Sequence, residues 1–257
     1  MRWLELEGAA NARDVGGLPT DDGGQIADRR LLRADNLQGL TPADIKLLVE
    51  EFGLSTVIDL RGSNEVEREG PGPLTAVDTV THVHHSVLPE RGEATDAGAD
   101  ALYARRERTL SYYPGDPMCA LYIGYLEDRP DSVVGALRSI ADAPGAALVH
   151  CAAGKDRTGT VVALALSVAG ARRDAVIADY AASGNRISAI LARLRASSTY
   201  SHDLAKRPAD DDHRPRAETM AAFLGQVDER YGGVLSWLSE HGFGSDEALA
   251  LRTKLVA

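Results

Sequence analysis

Residues 150–159 read HCAAGKDRTG and set a cysteine, a lysine, an aspartate and an arginine between two apolar runs, AALV and TVVALALSV. A β-rich run, a short loop and a helix-forming run aim successive backbone N–H groups and a helix N-terminus at one point, a geometry that binds phosphate. A cysteine there is stabilised as the thiolate, its nucleophilic form. Five residues after Cys151, Arg157 offers a planar fork that can hold two equatorial oxygens of a phosphoryl group into the transition state. Gly154 lets the loop turn without a Cβ clash, so the backbone of Ala152, Ala153 and Gly154 can line the anion. Thr158 is placed to donate a hydrogen bond to the sulfur and ease its departure, and His150 to brace the loop. A Walker A nucleotide loop is excluded, because Val149 stands where its first glycine belongs and Asp156 follows Lys155 in place of a hydroxyl.

The elements that must position this loop alternate along the chain. RRLLRA (29–34) reads as a strand. TPADIKLLVEEFG (41–53) reads as a helix with Thr41 at the N-cap, Pro42 at N1, Asp44 near N3 and Gly53 closing it. LSTVIDLR (54–61) and DTVTHVHHSVL (78–88) read as strands, with a charged turn, GSNEVEREGPGP, between them. Residues 98–129 read as helical with a break at YYPGDP, and 131–145 as a helix stopped by Pro144 and Gly145. Helical patterns follow at 158–169, 172–182 and 186–196, then a polar loop at 197–216. Three more helices follow at 217–231, 233–241 and 245–256, the last capped by Ser245. Strands alternating with helices imply an α/β fold with a mostly parallel central sheet flanked by helices and a helical cap, in one domain spanning 1–257. The segments 98–129 and 197–216 read as mobile insertions.

The His-Cys-x5-Arg-Thr pattern resembles the cysteine-dependent protein tyrosine phosphatase superfamily, and the GKDR core resembles a bacterial subgroup of it. NARDVGG (11–17), RRLLRADNLQGLTPAD (29–44), VIDLRGSNEVEREGPG (57–72), VIADYAASGN (176–185) and MAAFLGQVDERYGGVLSWLSEHG (220–242) are similar to blocks of that group. The resemblance implies metal-independent, two-step hydrolysis of phosphomonoesters through a phosphocysteine intermediate, with no cofactor, and a site that helices can cover, so that 98–129 and 197–216 are expected to form a lid. Implied substrates are phosphotyrosine and sometimes phosphoserine, phosphothreonine or phosphoinositides. A rhodanese-like loop is a poor match, since its interval from cysteine to arginine is usually shorter.

Protonating the leaving group needs a carboxylic acid within reach of the ester oxygen. Asp156 is the first candidate, since lipid-active relatives with a similar loop assign an aspartate at this position that role. Asp59, at a strand end beside Arg61, is the second; otherwise it pairs with Arg61 or orients Arg157. Asp116 in YYPGDP ranks third, because it lacks the Trp-Pro-Asp order of the eukaryotic acid loop. Lys155 reads equally as a phosphate or second-charge contact and as a solvated surface lysine. Asn11, Arg13 and Asp14 lie in a block near the family's site, and a structural N-terminal clasp explains them equally well.

Other features have plainer readings. His82, His84 and His85 lie in one strand, where His82 and His84 share a face, but no third convergent metal ligand is identifiable. Cys119 reads as a packed thiol rather than a resolving partner for Cys151. A net charge of −10 argues against nucleic acid or an anionic membrane as partner. With no apolar leader and no run long enough to span a bilayer, a cytoplasmic location is expected. The substrate stays open between a phosphoprotein, a phosphoinositide and a small phosphomonoester such as a sugar phosphate, nucleotide or biosynthetic intermediate. A non-catalytic phosphate-binding module is the remaining alternative.

Overall fold

The computed structural model describes residues 1–89, 107, 110–205 and 208–256. Its sheet has the order β1-β2-β3-β6-β4-β5, built from β1 (Arg2–Trp3), β2 (Arg13–Asp14), β3 (Leu31–Ala34), β4 (Leu54–Asp59), β5 (Thr81–His84) and β6 (Ala146–His150). The last four in that order run parallel, and the short β1 and β2 add an antiparallel edge beside β3. Register aligns Ala34, His150, Asp59 and His84 across the parallel strands, so their carboxyl ends open on one edge. Cys151 follows directly from that edge.

Strand alternation divides the apolar residues between two layers. Ala146 and Leu148 join Leu32, Leu54 and Val57 on one face, which is covered by Leu48 and Phe52. Ala147 and Val149 join Leu31 and Ile58 on the other, larger face. That face is covered by helices α3 (Pro117–Asp128), α4 (Pro130–Asp142), α5 (Asp156–Val168), α9 (Ala217–Tyr231), α10 (Val234–Glu240) and α11 (Ser245–Leu255). Each fully buried Leu or Val contributes about 1.5–3 kcal/mol, so the sheet edge that carries the loop is the stiff part of the fold. Helix α5 is buried on almost every side from Thr158 to Val168, as expected of a helix running through a core.

The expected helix at 41–53 is α1 (Pro42–Lys46) continued by a π-helical turn, Leu47–Glu51. It has the Thr41–Asp44 capping box at its start and Gly53 at φ +66° just past its end. GSNEVEREGPGP is not a turn. It forms helix α2 (Ser63–Glu69), started by the Glu65 carboxylate accepting the Gly62 N–H at 2.8 Å. No residue of α2 is buried, so there was no apolar periodicity to reveal it. Helices α6 (Arg173–Ala182) and α7 (Ile187–Ala196) stand where expected. The expected 197–216 loop contains α8 (Ser201–Ala205) and a 3-10 turn, Asp210–His213. Gly244, rather than Ser245, caps α11. Of the 98–129 segment, residues 98–106, 108 and 109 lie outside the described residues. In its C-terminal part, α3 buries Cys119, Tyr122, Ile123 and Leu126 in the main core. No helix among the described residues is long and apolar enough to cross a membrane.

Candidate active site

The loop from Cys151 to Arg157 joins β6 to α5 and is pinned from behind through its carbonyls. The Ala152 carbonyl accepts the Asn36 N–H at 2.9 Å. Asn11 Nδ2 donates to the carbonyls of Ala153 and Gly154, each at 3.0 Å, and Arg33 Nη2 donates to Gly154 at 2.8 Å. In a trans peptide the C=O and the next N–H point opposite ways. Carbonyls held outward therefore turn the N–H groups of residues 153–155 toward the inside of the loop. Gly154 has φ +63°, and a Cβ there would sit 2.3 Å from the Ala34 carbonyl oxygen, so only glycine fits.

The pinning residues are themselves over-determined. Arg13 Nε reaches Asp179 Oδ1 at 2.9 Å, Arg33 Nη1 reaches Asp179 Oδ2 at 2.6 Å, and Arg13 Nη1 donates to Asn11 Oδ1 at 2.6 Å. All four side chains are buried. Burial and the neighbouring Arg33 bring Arg13 down to about 10, while two arginines hold Asp179 below the usual carboxylate range despite its burial. Asn11 and Arg13 thus form a clasp under the loop. Asp14 lies apart from it, accepting the N–H groups of Gly16 and Arg29 at 2.9 Å.

On one side of the loop, Arg157 meets Glu65 from α2. Both Nη atoms engage the carboxylate, Nη2 reaching Oε1 at 3.0 Å. A guanidinium has five N–H groups, and an end-on pair through the two Nη atoms leaves the Nε side free for a second oxyanion. Burial opposes the Arg157 charge, but Cys151 and Glu65 outweigh it and hold the group above its ordinary value. Burial likewise opposes ionisation of Glu65, yet Arg157 keeps it below the usual range. A cleft of about 460 Å³ opens beside this pair, walled by Leu88, Pro89 and Tyr200 with Arg68 at its edge. Sequence reading missed Glu65. Its signal was local: a glutamate three residues after Gly62, in helix-starting position.

On the other side, Asp156 Oδ1 accepts the Tyr122 hydroxyl at 2.5 Å, and Tyr122 lies 2.7 Å from the Tyr180 hydroxyl. Lys155 is no surface lysine. Only 11% of its side chain is exposed, and its Nζ donates to the His213 carbonyl at 2.8 Å and lies 3.2 Å from Asp156 Oδ2. The Thr158 hydroxyl is buried with no hydrogen-bond partner among the described residues.

Asp59 and Arg61 form a supporting layer. Arg61 Nε and Nη2 both bond the Asp59 carboxylate, the closer at 2.6 Å, and the Arg61 side chain is fully buried. His150 Nε2 stands 3.6 Å from Asp59. Burial alone would raise Asp59, but His150 and Arg61 pull it down to about 2. Burial pushes His150 down to about 4 although Asp59 opposes this, so the ring is neutral at neutral pH. Asp116 is not placed to be an acid. Its Oδ1 accepts the Met118 and Cys119 N–H groups and its Oδ2 the Thr219 hydroxyl, so it is the N-cap of α3. Buried Cys119 is pushed up to about 12 by burial and Asp116. The histidines do not converge: His84 bonds the Arg61 carbonyl, His85 bonds Ser139, and His82 is exposed. Among the described residues no cluster of three metal-ligating side chains exists.

A model of the tyrosine phosphatase family matches residues 4–257. The chain belongs to the tyrosine phosphatase family. This phosphatase is 29% identical to the triple specificity protein phosphatase PtpB of Mycobacterium tuberculosis over the full length of both chains. It is also 28% identical to a tyrosine-protein phosphatase of Nostoc commune over 87% of this chain and 73% of that one. It is therefore an enzyme of the protein-tyrosine phosphatase type, acting on phosphorylated substrates.

Proposed function

We propose that this phosphatase hydrolyses phosphotyrosyl esters in two steps, with Cys151 as nucleophile, Arg157 as phosphoryl clamp and Asp156 as general acid. In the first step the S–P bond forms, the P–O bond breaks, and Asp156 gives its proton to the departing phenol. In the second, water attacks phosphorus, the S–P bond breaks, and Asp156 takes the water's proton. The buried Thr158 hydroxyl then stabilises the leaving thiolate. Inward-turned loop N–H groups and the free Nε side of Arg157 hold the equatorial oxygens throughout. One observation carries this reading: Cys151 starts a loop whose Ala152, Ala153 and Gly154 carbonyls are pinned from behind, with Arg157 anchored end-on by Glu65. The cleft walled by Leu88, Pro89 and Tyr200 suits an aryl ring, which favours phosphotyrosine over a sugar phosphate or nucleotide.

The test is rapid-quench hydrolysis of p-nitrophenyl phosphate in EDTA. Wild type is expected to turn over with a phosphocysteine burst, and Cys151→Ser to be inactive while still binding vanadate. Turnover by Cys151→Ser would overturn the mechanism. Faster kcat/KM on hexose phosphates or nucleotides than on phosphotyrosyl peptides would overturn the substrate assignment.

A further inference from the structure

A phenol pair behind Asp156 belongs to no part of the reaction as described so far. Tyr122 is fully buried and Tyr180 is 2% exposed, although each carries a polar hydroxyl. Burying such groups is costly unless they are satisfied. Tyr122 spends its single hydrogen on Asp156 Oδ1 at 2.5 Å, so the 2.7 Å contact with Tyr180 must run from the Tyr180 hydroxyl to the Tyr122 oxygen. The chain is directional: Tyr180 donates to Tyr122, which donates to Asp156. Close packing allows it. A Cβ on Gly159 would meet Tyr180 Cδ2 at 2.8 Å, so glycine at this position lets the ring lie against α5. The Tyr122 ring is also held by edge contacts with Tyr180 and Phe223 at about 6 Å between centroids.

Resting on the assignment of Asp156 as general acid, we propose that Tyr122, backed by Tyr180, is a positioning residue that selects the proton-bearing oxygen of Asp156 and stabilises its carboxylate as the proton leaves. Oδ1 is occupied as an acceptor, so the acid proton resides on Oδ2. As the P–O bond breaks, that proton passes from Oδ2 to the ester oxygen and Asp156 becomes a carboxylate. A hydrogen bond to a carboxylate is stronger than one to a neutral acid, so the Tyr122 bond tightens during the step and lowers its barrier. Lys155, 3.2 Å from Oδ2 and shared with the His213 carbonyl, favours the same departure. Both phenols are pushed up by burial and by Asp156, so neither loses its proton in the working range. In the second step, where Asp156 accepts a proton, the same bond weakens it as a base. Tyr122 therefore serves leaving-group expulsion and opposes hydrolysis of the phosphocysteine.

The experiment compares kcat/KM, which reports the first step, for 2,4-dinitrophenyl phosphate and phenyl phosphate. Dinitrophenolate leaves without help, whereas phenolate needs the acid. Tyr122→Phe is expected to lose about tenfold on phenyl phosphate, the worth of one hydrogen bond to a developing carboxylate, and less than about twofold on the dinitrophenyl ester. Asp156→Asn is expected to show the same pattern with a loss of about 10²-fold or more, and adding Tyr122→Phe to it should change nothing further. An equal loss on both esters, or a further loss in the Asp156→Asn background, would overturn the proposal in favour of a packing role. If Asp156→Asn itself shows no leaving-group dependence, the acid assignment fails and takes this inference with it. Should Tyr122→Phe not fold, Tyr180→Phe leaves the bond to Asp156 in place and removes only its support. It should then show the same selective loss at about two- to threefold; a uniform loss overturns the proposal.

Discussion

Asp156 and Arg157 are neighbours on the first turn of α5, yet they face opposite surroundings. About 100° of helical rotation separates successive side chains. Arg157 faces Glu65 and an open cleft of about 460 Å³. Asp156 faces a smaller recess of about 200 Å³, where Tyr122, Tyr180 and Lys155 hold it. The difference teaches how one turn of helix separates two tasks. In the proposed mechanism, ions on the Arg157 side manage the phosphoryl charge, which is the same for every ester. Hydroxyls on the Asp156 side manage a proton, whose worth depends on the leaving group. The strand ends beside the loop carry the titratable set Asp59, Arg61 and His150, whereas behind Asp156 stands a pair of phenols that stay neutral.

The strongest way to sharpen this contrast is Arg157→Lys, which keeps the charge and loses the fork. It should reduce kcat/KM about 10³-fold, equally for phenyl and dinitrophenyl phosphates. A loss confined to poor leaving groups would erase the distinction between the two sides.

Acid stability provides the next test. His150 sits at about 4 in the folded chain against 6.5 for the free side chain, so the unfolded state takes the proton first. The stability this burial supplies is intact above pH 6.5 and lost between 6.5 and 4, by about 3 kcal/mol if the ring stays fully buried. Asp59, held at about 2, adds its own loss only below about 4, as pH falls toward 2. Thermal melts from pH 7 to 4 should show this decline in wild type, a flatter profile in His150→Gln, and an unchanged slope in Tyr122→Phe. A slope altered by Tyr122→Phe would mean that the two layers are not separate.

Smaller effects are expected from the anchors. Glu65→Gln should lower kcat/KM about tenfold on every ester, since it loosens the arginine without touching the proton. A leaving-group preference in that variant would contradict the division. Asn11→Ala frees two loop carbonyls and should weaken vanadate binding about threefold to tenfold by calorimetry, with little selectivity among substrates.

The loop from Cys151 to Arg157 was legible in the sequence because a strand-loop-helix with this spacing has few other uses, and the parallel strands β4 and β6 were legible because LSTVID and AALVH are rich in apolar and β-branched residues. Glu65 was not, since α2 has Val66 as its one apolar residue and is flanked by glycines and prolines that mimic a turn. Tyr122 was equally hidden. On the sequence it is one apolar-looking position in a helix, and only packing shows that its hydroxyl ends on Asp156. Asp116 shows the reverse: an aspartate before a proline suggested chemistry, while one of its oxygens caps the start of α3 and the other accepts the Thr219 hydroxyl of α9. Local rules found the loop and its cysteine-to-arginine spacing, whereas the residues that support it depend on contacts between distant parts of the chain.

Those distant contacts impose an order of assembly on the ribosome. Asn11 reaches across 142 and 143 residues to the loop carbonyls, and Arg13 and Arg33 converge on Asp179, which is 166 and 146 residues away. The N-terminal arm is made first, but Arg13 and Arg33 lack the carboxylate they share until Asp179 has been synthesised. A nascent chain that has just completed the Cys151 loop therefore has the loop's direct contacts to Asn11 and Arg33 without the anchor that fixes those side chains. Because long-range closure is slow relative to local helix formation, the ability to bind phosphate should be among the last properties the newborn chain acquires.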